Sequence, residues 1–348
     1  MRDMSGVSCS CRMLRFLTAA SLTLAPVLTH SAEQPRPFYA GKQLTIVVGL
    51  PPGGGADTYA RLVQRYLSRH IAGAPTILVQ NMPGAGSLKS VTYLNTTAPA
   101  DGTVMVTFSS ALINEALTAP ERVRADFRSY GWIGNVSEDV RVCYVWGASG
   151  VRNWRDMIGR QKPLFMGATA AGTAGNADTG MLQNLFGVKI SQVQGYAGSA
   201  DKRLAVERRE IDGDCGGWTS VPEDWLRDKK INVVVRLSPT LVPGLDRSVP
   251  FGGDLVKDES DRKLYDFLIA PERLGRLFMV SDKVPADRVA ALRAGFNAMV
   301  ADPGFRAEAQ KMKLLVTPMT GDEVARHIAE LYATPSAIVA RARTIVRD

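Results

Sequence analysis

Histidine is almost missing from this chain: three occur in 348 residues. His30 lies in the first 32 residues, His70 closes a helical pattern and His327 sits in the tail. No HxH, HExxH or CxxC spacing occurs, which excludes the common metal-ligand patterns. No GxSxG elbow and no plausible Ser/His/Asp set is present, so the familiar acyl-transfer constellations are excluded too. Basic blocks interleaved with aromatics are also lacking, and with them a case for nucleic acid. No internal run is apolar enough, for long enough, to span a bilayer.

The N-terminus departs from the rest. Arg2, Arg12 and Arg15 precede the apolar run FLTAASLTLAPVLT, and small residues follow up to Ala32. That order is the layout of a secretory signal peptide, and at 14 residues the run is short for an anchor. Residues 1–32 are therefore expected to be removed, taking the net charge from +8 to about +6. A mildly positive surface favours encounter with anions. Of four cysteines, Cys143 and Cys215 remain beyond the leader. Pairing in an oxidising compartment and two buried thiols both fit them, with the thiols the preferred reading.

Beyond the leader, short apolar runs alternate with helical patterns. LTIVVGL, TILVQN and TVMVTFSS read as strands with helices between them, the first carrying Tyr59, Leu62, Val63, Tyr66 and Leu67 on one face. Parallel strands with covering helices follow from that alternation. From residue 152 a second unit of the same build begins, with strands in PLFMGA, VKISQVQ, IDGDC and INVVVRL. The tail reads as a strand, GRLFMV, and helices near 286–300, 303–312 and 321–346. If the tail strand returns to the first unit, the chain crosses twice between two lobes, near 138–147 and 270–280. The expected division is 33–138 with 271–348 as lobe I and 139–270 as lobe II.

Chemistry concentrates in the loops. In LPPGGGADTYARL a strand passes through three glycines into a helix. There the first helical N–H groups have no intrahelical partner and carry partial positive charge. Ala56-Asp57-Thr58 stands where a P-loop needs Gly-Lys-Ser/Thr, and GxGxxG is not matched, so a nucleotide site is not indicated. NMPGAGS, TFSSA, MGATAAGTAGNAD and QGYAGSAD repeat the strand–small-residue–helix arrangement. Three such loops in one lobe and two in the other suit a cleft of N–H and O–H donors facing a carboxylate. Asp212 and Asp214 lie near a strand end in IDGDCGGW, so one of them can face such a cleft.

KQLTIVVGLPPGGGADTYARLV, ILVQNMPGAGSLKSVTYL and LGRLFMVSDKVPADRVAALRAGFNAMVADPGFRAEAQKM carry a resemblance over nearly the whole mature chain. The chain resembles the extracytoplasmic solute receptors of tripartite tricarboxylate transporters, the Bug family. The resemblance implies an α/β, two-lobed type II periplasmic-binding-protein fold, each lobe a mainly parallel sheet flanked by helices, joined by crossing hinge strands. It implies a periplasmic monomer that captures a small organic acid and delivers it to membrane permease subunits, with no cofactor, metal or enzymatic step. Carried onto this sequence, the ligand-binding positions in the first lobe are Gly53, Gly54, Gly55, Asp57 and Thr58; Asn81, Gly84, Ala85, Gly86 and Ser87; and Ser109, Ser110 and Ala111. In the second lobe they are Ala168, Thr169, Gly172, Thr173 and Ala174, then Tyr196, Ala197 and Gly198, and Asp212. Two rivals stand beside this reading: a periplasmic sensor or scavenger that signals to a partner, and an enzyme on the same scaffold using Asp57 or Asp212 as acid or base.

Overall fold

A computed structural model describes Ser10, residues 36–169 and residues 173–346. Apart from Ser10, the expected leader therefore lies outside the described residues. The first lobe opens with β1 (Gln43–Val48), α1 (Gly55–Leu67), β2 (Thr76–Asn81), α2 (Leu88–Thr96), β3 (Val104–Thr107), α3 (Ala111–Thr118) and β4 (Gly131–Asn135). The chain then crosses to β5 (Arg141–Trp146), α4 (Trp154–Gly159), β6 (Leu164–Gly167), α5 (Ala174–Asn184), β7 (Ile190–Val193), α6 (Ser199–Glu207), β8 (Gly213–Gly217), α7 (Glu223–Arg227) and β9 (Ile231–Arg236). Helices α8 (Gly252–Leu255) and α9 (Glu259–Ile269) lead back to β10 (Leu277–Val280). The tail holds α10 (Ala286–Ala301), α11 (Pro303–Lys311), β11 (Met319–Thr320), α12 (Gly321–Tyr332) and α13 (Ser336–Val346).

Two sheets result, in the orders β11-β4-β10-β3-β1-β2 and β7-β6-β8-β5-β9. Strand β1 is parallel to β2 and β3, and β6 is parallel to β7 and β8. The sheets are mixed rather than mainly parallel, because the strands beside the crossings run the other way. Strand β10 is antiparallel to β3 and β4, and β5 to β8 and β9. The crossings touch: Asp139 N donates to Glu272 O at 2.8 Å, and Val136 N to Arg276 O at 3.0 Å.

The core follows the periodicity. Leu44, Ile46, Val47 and Val48 are fully buried on both faces of β1, and Tyr59, Leu62, Val63 and Leu67 bring the α1 stripe onto that sheet. Where one helix was expected over 321–346, Pro335 lacks an N–H and disfavours helix at Thr334, so the pattern splits into α12 and α13. Helix α12 starts on a capping box between Thr320 and Glu323. Helix α13 ties distant parts together. Arg343 Nε donates to Thr118 O at the end of α3, and Asn184 Nδ2 of α5 donates to Ile345 O.

Cys143 and Cys215 face each other across β5 and β8 with Cα atoms 4.1 Å apart, and they are disulfide-bonded rather than free thiols. Antiparallel register brings together two residues 72 positions apart, a proximity that sequence separation hides.

Candidate functional site

The carboxyl ends of β1, β3, β6 and β8 converge on one cleft of about 700 Å3. One wall holds the start of α1, residues 83–87 ahead of α2, and Ser109 and Ser110 ahead of α3. The other holds Thr169, the start of α5, and residues 196–202 through the start of α6. Leu50, Pro51, Pro52, Pro83 and Phe108 add apolar surface.

Five helices thus begin at this cavity, on Gly54, Ser87, Ser110, Thr173 and Gly198, and none receives a side-chain cap. The hydroxyls that could serve are turned elsewhere. Ser87 Oγ donates to Gly49 O and accepts from Ser109 N, while Thr173 Oγ1 lies 2.5 Å from Thr169 Oγ1. Away from the cleft, α4, α9, α11 and α12 are capped by Asn153, Asp258, Asp302 and Thr320, while α7, α8 and α10 start without a side-chain cap. Backbone oxygens take part of the first-turn N–H set instead: Leu88 N and Lys89 N of α2 donate to Ala85 O and Gly84 O, Leu112 N and Ile113 N of α3 to Ser109 O and Ser110 O, and Asn176 N of α5 to Thr173 O. The starts of α1, α5 and α6 supply the helix-end N–H groups best placed for an oxygen-bearing guest.

The glycine loop divides its labour. Gly53 needs its φ of +78° for the turn and points at nothing within 4 Å. Gly55 admits a neighbour: a Cβ there would lie 2.8 Å from Arg276 Nη2. Gly54 has an ordinary backbone (φ −91°, ψ 171°), and a Cβ there would meet only Pro51 O, at 3.9 Å.

Asp57, Thr58 and Asn81 support the loop from behind. Asp57 accepts from Gly53 N at 3.1 Å, Arg61 Nε at 3.0 Å and Asn81 Nδ2 at 3.0 Å. Burial opposes its ionised form, but these donors outweigh burial and hold its pKa below the ordinary value. Thr58 Oγ1 donates to Gly54 O, and Asn81 Nδ2 also reaches Leu50 O. These three residues, with Gly53, Ala111 and the buried Ala168, are not among the cavity-lining residues. Asp212 precedes β8 at the end away from the cleft, where its Oδ2 accepts from Phe165 N. Gly172 lies outside the described residues. The remaining residues carried over from the resemblance line the cavity.

The charged floor was not foreseen. Asp139, Arg141, Lys202 and Arg276 line the cavity. Arg276 Nη2 meets Asp139 Oδ1 at 2.7 Å, and Arg141 Nη1 meets Asp139 Oδ2 at 3.2 Å. Arg141 also pairs with Asp178 and stands 3.7 Å from Glu272, while Lys202 Nζ lies 2.5 Å from Asp214. Burial pushes Asp178 and Asp214 up despite these cations, and pushes Glu272 well above its ordinary value, where Ser238 Oγ donates to it at 2.6 Å. Burial also works against ionised Asp139, but Arg276 and Arg141 reverse the outcome and hold its pKa low. Apart from Asp139 and Arg141, two residues apart at the start of β5, these side chains come from separate segments, so no sequence pattern marks them. The only hint was Asp214, adjacent to a cysteine in a glycine-rich strand.

No family model matches the chain. It is 29% identical over 101 residues to a curated protein of Pseudomonas sp. (strain P51), described as "UPF0065 protein in tcbD-tcbE intergenic region". That match spans 29% of this chain and 29% of the relative's length. Solved structures align over far more. Periplasmic binding protein BugD superposes with TM-score 0.72 at 17% identity, covering 87% of this chain and 98% of its own. An R. palustris protein with adipate gives 0.67 at 18% identity, covering 87% and 97%, and MatC from Rhodopseudomonas palustris with bound malate gives 0.68 at 16%, covering 88% and 99%. The chain therefore has the two-lobed α/β fold of these periplasmic binding proteins.

Proposed function

We propose that the chain is a periplasmic solute receptor of the Bug type, which captures a small organic acid between its lobes and hands it to the permease of a tripartite transporter. The observation that carries this reading is the convergence on one cavity of uncapped helix starts from both walls, α1 on one and α5 and α6 on the other. Each supplies N–H donors and a partial positive charge, so a carboxylate gains most when both walls close on it. Ligand capture then follows from a higher affinity for the closed arrangement, with no bond made or broken. The bound adipate and malate of the structurally similar proteins support the ligand class. The buried disulfide suits an oxidising compartment, as the expected leader does.

Asp57 and Asp212 are the acids an enzyme on this scaffold would use. One is held by Arg61, Asn81 and the Gly53 amide, and the other lies at the far end of β8. Binding is the reading these placements favour. A thermal-shift panel of organic acids, followed by calorimetry, tests it. A ligand at about 100 times its Kd stabilises the native state by about 2.7 kcal/mol and raises Tm. Turnover of a bound acid, or a panel without a single stabilising acid, contradicts the proposal.

A further inference from the structure

We propose that Asp139 is a specificity-determining residue that fixes the charge of the ligand: by holding Arg276 and Arg141 together it spends the floor's guanidinium charge internally, so the cleft accepts acids with one or two carboxylates and rejects tricarboxylates. This rests on the organic-acid receptor reading above.

The floor is balanced from within. Its three cations, Arg141, Arg276 and Lys202, each have a carboxylate partner at 3.2 Å or less. Of the four acids in this cluster, Asp178, Asp214 and Glu272 sit behind the floor, and Asp139 alone lines the cavity. It is also the acid whose ionised form is most firmly held, since two guanidiniums outweigh its burial. Its carboxylate occupies the space between two arginines where a ligand carboxylate would otherwise bind as a charge partner.

What remains for a guest is the neutral N–H and O–H groups of the two walls. They lie on both walls, which suits a monocarboxylate or a dicarboxylate bridging the lobes. Among the described residues, every cation lining the cleft already has a carboxylate partner, so a third carboxylate must approach Asp139 itself. Asp201, at the exposed rim of the α6 wall, adds a further negative charge at the mouth. Like charges brought together in a partly desolvated cleft are disfavoured far more than in bulk water.

Butyrate, glutarate and tricarballylate test this directly, because they place one, two and three carboxylates on the same three-carbon core. Calorimetry on the wild-type protein is expected to give tricarballylate a Kd about tenfold or more weaker than glutarate. Asp139→Asn is expected to erase or invert that ranking, with an affinity gain that grows with each carboxylate. The double variant with Glu272→Gln keeps the gain from being hidden by ionisation of Glu272 in place of Asp139. Tricarballylate binding the wild type as tightly as glutarate overturns the inference whether or not the variants fold. So does a folded Asp139→Asn protein with an unchanged ranking. A wild-type protein that binds none of the three, nor any acid of the wider panel, strikes the receptor reading itself.

Discussion

Gly54→Leu separates binding from folding. The Gly54 backbone is one that any residue adopts, and a Cβ there meets only Pro51 O at 3.9 Å. Gly54 also lines the cleft and begins α1, so a leucine side chain covers the first-turn N–H groups that would receive the anion. Hydrogen bonds to a charged group contribute about 1.5–3 kcal/mol each. Losing one weakens Kd by about 10- to 100-fold, and losing two removes measurable binding of a micromolar ligand. The N-cap change itself costs about 1 kcal/mol or less, a Tm shift of about 2–4 °C. Adipate is the probe, with calorimetry for Kd and differential scanning calorimetry for Tm. A folded Gly54→Leu protein that binds adipate as the wild type does refutes the assignment of α1 to the anion site.

Other outcomes follow from the same geometry. Replacing Cys143 and Cys215 with alanine releases a 72-residue loop and is expected to cost about 4 kcal/mol in the chain-entropy model, read as a lower urea midpoint. Glu272 binds its proton more tightly in the folded protein, so folding takes up a proton between the ordinary carboxyl value and the raised one. Wild-type stability relative to Glu272→Gln therefore falls as pH rises from about 5, by up to about 1.4 kcal/mol per pH unit until the folded value is passed. Urea titrations at pH 5, 6, 7 and 8 check the sign, and a difference that stays flat or reverses contradicts it. Asp57→Ala removes the acceptor of Gly53 N, Arg61 and Asn81; it is expected to lower Tm, and to weaken adipate binding only through a loosened α1 loop.

Much of the fold was legible because its signals are local. The apolar run of β1, the stripe of α1 and the small-residue loops at strand ends each lie within a few consecutive residues. Loop glycines and hydroxyls read as cavity-facing do line it, from Gly54 and Gly55 to Thr173 and Gly198. Direction was harder: Asp57, Asn81 and Asp212 have the right chemistry, but hydrogen bonds to their own loops and neighbouring strands turn them from the cavity. The Asp139–Arg141–Arg276 floor was illegible because it forms only when β5 and the segment before β10 meet at the crossing. The antiparallel pairing that joins Cys143 to Cys215 was hidden for the same reason.

The central claim is that an organic anion is held by helix starts on both walls of one cleft. A crystal structure grown with adipate tests it most directly. The expected result is carboxylate oxygens within hydrogen-bond distance of first-turn N–H groups of α1 or backbone N–H groups of residues 84–87 on one wall, and of first-turn N–H groups of α5 or α6 on the other. Adipate bound outside the cleft, or held within it by side chains alone, contradicts the claim.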